Sequence, residues 1–425
     1  MKVKLILAVL IFSALSKSFP ETYHWELKDA IDQAMSENLV LKQHKIDLNQ
    51  RRSASDRSWN LLLPDLSSSI SMSNDFSTNP WSVTGRIGVS LNLNGSLPYE
   101  FKNLQYLLNA ELVSYEQARQ MYIRDIKDFF YQILLVKERI SLARDNLRIT
   151  EKQYEKTVLL YEAGLASDLN LMAIKVNLAN TRPEILSLEN DYTSKLFQLK
   201  YLTGLTPDDE LELTGSIFLP DIPVSLDDLS NRISDTLELQ KFRQENLILQ
   251  NSRKIILMEN RIPSFSLGYS YSPKLSQPLE DSFSSRDTWF GQGSLTISMS
   301  LPLNSILPGS SSRTDLESID ADILKNELEL DQLLYTSHME LSNLINRIAG
   351  IRETLAARKL AADFSREAYE YTVISYNSGG VDVLELQDSE TDLRESRVAV
   401  LTETYNYIST ILDLEYLLGI EIIKE

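Results

Sequence analysis

Residue types that do catalysis are sparse in this chain. Three histidines, His24, His44 and His338, stand far apart among 425 residues, and there is no cysteine. A triad needs an imidazole within hydrogen-bond reach of a nucleophile and an acid, and a zinc site needs several converging N, S or O ligands. Each histidine is alone on a predicted helix or its entry, so neither arrangement is assembled. Gly291-Gln292-Gly293 lies inside an alternating strand and lacks the strand-to-helix context of a nucleotide loop. Carboxylates are abundant, but on the helices they sit among Lys and Arg as solvated faces. The chain is therefore predicted not to be an enzyme, with no catalytic residue, no cofactor and no metal. With 60 Asp and Glu against 42 Lys and Arg, the net charge is −18 and no basic patch stands out, which argues against nucleic acid.

Two Gly-containing breaks interrupt helical sequence: YEAGLASDLNLM from Tyr161 to Met172 and YNSGGVDVLELQ from Tyr376 to Gln387. Tyr161 and Gly164 lie 215 residues before Tyr376 and Gly379, and LKYLTGL at Leu199 lies the same 215 before LEYLLGI at Leu414. Earlier landmarks repeat at smaller offsets: Ser36 with Ser234 at 198, Pro64 with Pro263 at 199, Gly85 with Gly293 at 208. The offset grows only across expected loops, so the chain reads as two copies of one unit. The first repeat spans 19–205, with strands at about 65–77 and 82–95, a long helix at 99–162 and a return helix at 166–204. A Pro-containing connector, 206–225, leads to the second repeat, 226–425, with strands at about 263–273 and 287–303, a long helix at 311–377 and a return helix at 382–419.

The strands alternate with period two. Leu66, Ile70 and Met72 oppose Ser67, Ser69, Ser71 and Ser73; Val83, Ile87, Val89, Leu91 and Leu93 oppose Thr84, Arg86, Ser90 and Asn92. Phe265, Leu267, Tyr269 and Tyr271 oppose a serine row, as do Leu295, Ile297 and Met299. Each run approaches the 9–11 residues of a tilted membrane strand, and Phe76, Trp81, Tyr271, Trp289 and Phe290 gather toward the loop ends like an interfacial girdle. An antiparallel sheet on a soluble core would show the same alternation. Four strands cannot close a single-chain membrane barrel, which starts at about 8. If these strands are in a membrane, several chains must share one barrel.

Between Tyr99 and Leu160 there is no Pro or Gly, and apolar residues recur every seventh position from Ile126 through Ile133, Ile140, Leu147 and Tyr154 to Tyr161. Leu316, Ile323, Leu330, Leu344 and Ile351 repeat the spacing in the second copy, beside Leu334, Leu341, Ile348 and Leu355. Such spacing makes neighbouring helices supercoil. Each long helix must reverse at Gly164 or Gly379, so both breaks are expected at the same far end of a helical rod, opposite the strands. Pro183 predicts a kink or interruption in the first return helix. At the start, MKVKLILAVLIFSALSKSFP has the layout of a cleaved signal peptide, 1–18, its apolar run being too short for an uncleaved anchor.

The duplicated unit, the strand pairs after Pro64 and Pro263, the Tyr-x-x-Gly turns at Tyr161 and Tyr376, and the Leu-x-Gly closings at Gly204 and Gly419 resemble the TolC-type outer-membrane efflux family (outer-membrane factors) over nearly the whole mature chain. The resemblance implies a mostly α fold with a small antiparallel β part: long coiled-coil helices and four transmembrane strands per chain, completing a trimeric α-barrel/β-barrel tunnel. It implies a homotrimer in outer-membrane lipid, its helical part in the periplasm, and passive export from a periplasmic adaptor and an inner-membrane transporter. It also implies an acidic ring at the tunnel entrance from Glu385 and Asp388, which share one helix face; a solvated acidic face is the bland alternative. The family's tip latch pairs an Asp with an Arg, but the matching positions here are Asn170 and Val381. The expected tip turns and gate are therefore Gly164, Asp168, Asn170, Tyr376, Gly379 and Asp382. The competing reading is an exported structural or adhesive coiled coil without a pore, which also accounts for the signal peptide and the heptads.

Overall fold

The computed structural model describes residues 22–74, 81–219, 226–275, 289–303 and 307–423. The signal-peptide segment 1–18 and Phe76 lie outside these, as do the side chains of Trp81, Trp289 and Phe290. The chain divides into two compact units, and each takes elements from both sequence repeats.

One unit comprises Lys45–Tyr115 and Leu237–Leu334. It holds a four-stranded antiparallel sheet of β2 (Asp65–Asn74), β3 (Trp81–Leu93), β5 (Ser264–Leu275) and β6 (Trp289–Ser300), in that spatial order. The register sets like against like: Leu66 opposite Val89, Val89 opposite Tyr269, and Tyr269 opposite Leu295. On the other face Ser67 pairs with Gly88, and Ser270 with Ser294, whose hydroxyls are 3.1 Å apart. One face is thus continuous hydrocarbon and the other hydroxyl. Among the described residues β2 and β6 are the edges, each lacking a second strand neighbour. In the same unit, α5 (Leu237–Arg261) is tied by the Asn251 amide, which donates to the Tyr99 carbonyl at 2.8 Å, and by an Arg253–Asp320 ion pair.

The second unit comprises Met1–His44, Glu116–Thr236 and Tyr335–Glu425. Its principal helices are parts of α3 (Leu97–Glu162) and α6 (Ser311–Asn377), with α4 (Asp168–Thr203) and α7 (Val383–Leu418). At 66 and 67 residues, α3 and α6 far exceed the three or four turns usual in globules. Ile126, Ile133 and Leu134 of α3 are fully buried, as are Ile348 of α6 and Ile408, Ile411 and Leu412 of α7. Ion pairs flank this seam, with Arg124 on Asp413 and the buried Lys127 on Glu415 at 3.2 Å.

The structure departs from expectation in three places. The Ile126 series of α3 is buried only through Ile140, while the parallel row Val136, Ala143, Thr150 and Thr157, also seven apart, stays buried and Tyr161 is exposed. His24 lies in a strand, not on a helix: β1 (Thr22–Trp25) pairs in parallel with β4 (Glu210–Leu213), which falls within the expected connector. There the His24 imidazole lies 3.3 Å from the Glu212 carboxylate, and Trp25, Leu211 and Leu213 are buried. His44 and His338 are on helices α2 (Leu39–Asp56) and α6. Finally, α4 continues through Pro183 without interruption. Pro183 and Ala179, the residue whose carbonyl loses its donor, are both exposed, so water replaces the missing bond.

That exposed prolyl residue still carries the penalty of a lost donor and a crowded ring. Pro183→Ala should raise stability, by up to about 3 kcal/mol, measured as an upward shift in the unfolding midpoint; an unchanged or lower midpoint would show that the helix bears no such penalty.

Candidate functional site: the paired glycine turns

Both turns follow from the same local rules. After α3, Gly164 takes φ +75, and the N–H groups of Gly164 and Leu165 close onto the carbonyls of Tyr161 and Leu160 at 2.9 and 2.7 Å. Ser167 then caps α4, its hydroxyl accepting from the Asn170 N–H at 3.2 Å. After α6, Gly379 takes φ +81, with Gly379 and Gly380 N–H groups closing onto Tyr376 and Ser375 at 3.2 and 2.8 Å. Asp382 caps α7, accepting from the Glu385 N–H at 3.1 Å. A left-handed residue stops each helix and a polar cap three residues later starts the next.

Most of the expected gate residues are used locally. The Asp168 carboxylate accepts from the Tyr161 hydroxyl, a bond that holds the phenol above its ordinary pKa. Asn170 is engaged by its backbone at the Ser167 cap, and Asp382 is spent on its own helix. Tyr376 is the exception, for its ring lies under the Lys156 ammonium at 4.4 Å, and the same ammonium donates to Asn377 at 2.8 Å. This contact joins α3 to the end of α6, and Lys156 was not foreseen. Among the described residues no hydrogen bond joins Asp168 or Asn170 to Tyr376 or Asp382.

Glu385 and Asp388 are both exposed, while Val383, Leu386, Glu390 and Leu393 of the same helix are buried. The two carboxylates thus lie on the solvent side, and Asp392 and Glu395 extend that side along the helix. This extension was legible as the spacing 385, 388, 392, 395.

Behind that face the core turns polar. Thr150, Gln153 and Thr157 of α3 and Glu390 of α7 are buried, Glu390 to 7% exposure. The Gln153 amide donates to Glu390 Oε2 at 2.9 Å, while Glu390 Oε1 and Gln153 Oε1 have no partner among the described residues. Burial pushes the Glu390 carboxyl above its ordinary 4.5, against the Gln153 hydrogen bond and the Arg394 charge, which pull it down. Arg394 also donates to Glu184 of α4 at 2.6 Å. Tyr369 of α6 is raised by its own burial and then by the Glu390 charge.

With this geometry in hand, comparison with known proteins is specific. A family sequence model described as "Outer membrane efflux protein" matches residues 30–205. Over this first repeat, the chain is similar to the outer membrane efflux protein family. Nodulation protein T of Rhizobium leguminosarum bv. trifolii is 20% identical over 325 residues, covering 75% of this chain and 67% of that protein. The solved CmeC outer membrane channel of Campylobacter jejuni superposes with a TM-score of 0.77 at 15% identity, covering 94% of this chain and 87% of that one. The outer membrane protein VceC of Vibrio cholerae gives 0.73 at 16% identity, covering 93% and 96%. At such identities the structural likeness establishes the fold, a mostly helical chain with an antiparallel sheet.

For a carboxyl raised in the fold, the stabilising contribution is complete below its ordinary value of 4.5 and fades as pH rises through the folded value. Glu390→Gln keeps the acceptor and supplies a permanent donor. The variant should match the parent in thermal midpoint at acid pH and exceed it at pH near 8; a lower midpoint there would mean that the ionised carboxylate is the better-satisfied form.

Proposed function

We propose that this chain is one subunit of a homotrimeric outer-membrane duct that passively exports substrates received from a periplasmic adaptor and an inner-membrane transporter. The observation that carries the reading is the four-stranded sheet, which has two unpaired edges and a bare hydrocarbon face. Ile70 is 83% exposed, Leu66 79% and Ile297 75%. Water is a poor solvent for such a face and hydrocarbon a poor one for open edges. Three copies pairing β6 to β2 in a ring remove every edge and turn the apolar face to lipid, with the serine face lining the lumen. The family-model match over residues 30–205 and the likeness to solved outer-membrane channels support this assembly. A structural or adhesive coiled coil leaves the exposed hydrocarbon without a purpose.

In that trimer the long helices build the periplasmic tunnel and the Gly164 and Gly379 turns form its tip. Glu385 and Asp388, exposed at the start of α7, line the entrance as an acidic ring, where crowded carboxylates favour cations and repel anions. The latch of the tip rests on the Tyr376–Lys156 contact, with Asp168 held by Tyr161, Asn170 bound to the Ser167 cap and Asp382 capping α7, in place of the Asp–Arg link that Asn170 and Val381 cannot make.

Purified from membranes, the full chain should need detergent, run as a trimer and conduct ions in planar bilayers. A water-soluble monomer without conductance would sink the proposal. Replacing Glu385 and Asp388 together by Ala should weaken cation preference and relieve block by multivalent cations at unchanged trimer content, and unaltered selectivity would remove these residues from the entrance.

A further inference from the structure

The hydroxyl face of the sheet carries a positive charge, without an ion-pair partner among the described residues, that neither the entrance nor the tip uses. The four strands contain only three charged residues: Asp65, Arg86 and Lys274. Arg86 pairs with Ser69, the middle of β2, and its chain neighbours Gly85 and Ile87 belong to the opposite face, where Ile87 stands exposed beside Ile70. Parity therefore places Arg86 among hydroxyls, in a row with Thr84 and Ser90. A guanidinium on the hydrocarbon side at mid-strand costs about 2–4 kcal/mol in a bilayer, which the observed register avoids. Arg86 is exposed and makes no ion pair with any described residue. Asp65, the one acid on these strands, pairs with Ser90, four residues along β2 from Ser69. At about 3.3 Å per residue that is about 13 Å, beyond one Debye length at physiological salt. Lys274 occupies the position opposite Thr84, two residues from Arg86 along β3, so a second cationic residue is encoded next to it.

We propose that Arg86 forms an anion-attracting girdle in the barrel segment of the duct, a transient site for chloride, phosphate or carboxylate groups on cargo, acting in series with the cation-favouring carboxylates Glu385 and Asp388. The inference rests on the trimeric duct reading, which turns the hydroxyl face to the lumen and sets three guanidinium groups around it. Serine and threonine walls hydrate solutes without choosing between signs of charge, whereas fixed Arg or Lys rings are what select anions in pores. An arginine is charged at every physiological pH and forks onto oxyanions through two N–H groups, so the girdle holds oxyanions better than halide.

The test is reversal potential under a KCl gradient in planar bilayers, using the full chain and its trimer. In the Glu385→Ala, Asp388→Ala background, where the entrance no longer dominates, chloride should be preferred, and adding Arg86→Ala should lower the chloride-to-potassium permeability ratio by about twofold or more. Arg86→Glu should reverse it, and Arg86→Lys should retain it, which separates charge from packing. Inorganic phosphate should reduce the current of the Arg86 channel and leave that of Arg86→Ala unaffected. Conducting trimers whose selectivity is the same with Arg, Ala and Glu at position 86 would overturn the girdle while leaving the duct intact. No conductance in any variant, the parent included, would overturn both.

Discussion

Backbone polar groups at the two edges of a β-sheet must be paired, and in hydrocarbon water cannot do it. That requirement governs this molecule. β2 and β6 end the sheet with open edges, and the face they frame is leucine, isoleucine, tyrosine and methionine in the open. A soluble protein with such a face covers it with a helix or a second sheet, yet Leu66, Ile70, Ile297 and Met299 remain exposed. In the proposed trimer the apolar face meets lipid because it has nothing else to meet, and the hydroxyl face becomes a lumen wall because the strands alternate. Arg86 acquires its role from the same parity.

The helical unit obeys a different constraint, the seven-residue spacing of its buried rows. Over Ile126 to Ile140 the seam is aliphatic. Farther along α3 the row from Val136 through Ala143 reaches Thr150 and Thr157, and near the glycine turns the hydrogen bonds of Gln153 and Thr157 join buried Ile174, Val383 and Leu386 in the core. Polar cores are stable only when every group is satisfied, so the Gln153–Glu390 pair makes this stretch responsive to a single proton.

Much of this was visible in the chain before folding. Period-two alternation, the doubled landmarks, the long Pro-free and Gly-free stretches and the two Tyr-x-x-Gly turns are local patterns, and local sterics realise them: Gly164 and Gly379 adopt the left-handed conformation, and Ser167 and Asp382 cap the following helices. The small β1–β4 sheet escaped notice although Leu211 and Leu213 alternate with Glu210 and Glu212, because each strand has only four residues and its partner lies far along the chain. Lys156 over Tyr376 and Gln153 against Glu390 escaped for the same reason, being 220 and 237 residues apart along the chain.

By itself, then, the sequence determined which residues share a strand face, where each long helix must stop, and that one half of the chain repeats the other, since these depend on contacts within a few residues. Tertiary structure alone decided which carboxylates on α7 meet water and which are enclosed: Glu385 and Glu390 are one and a half turns apart on one helix, and only the neighbouring α3 makes the first a surface charge and the second a buried acid. Burial is a property of what packs alongside, and no local pattern encodes a neighbour drawn from hundreds of residues away.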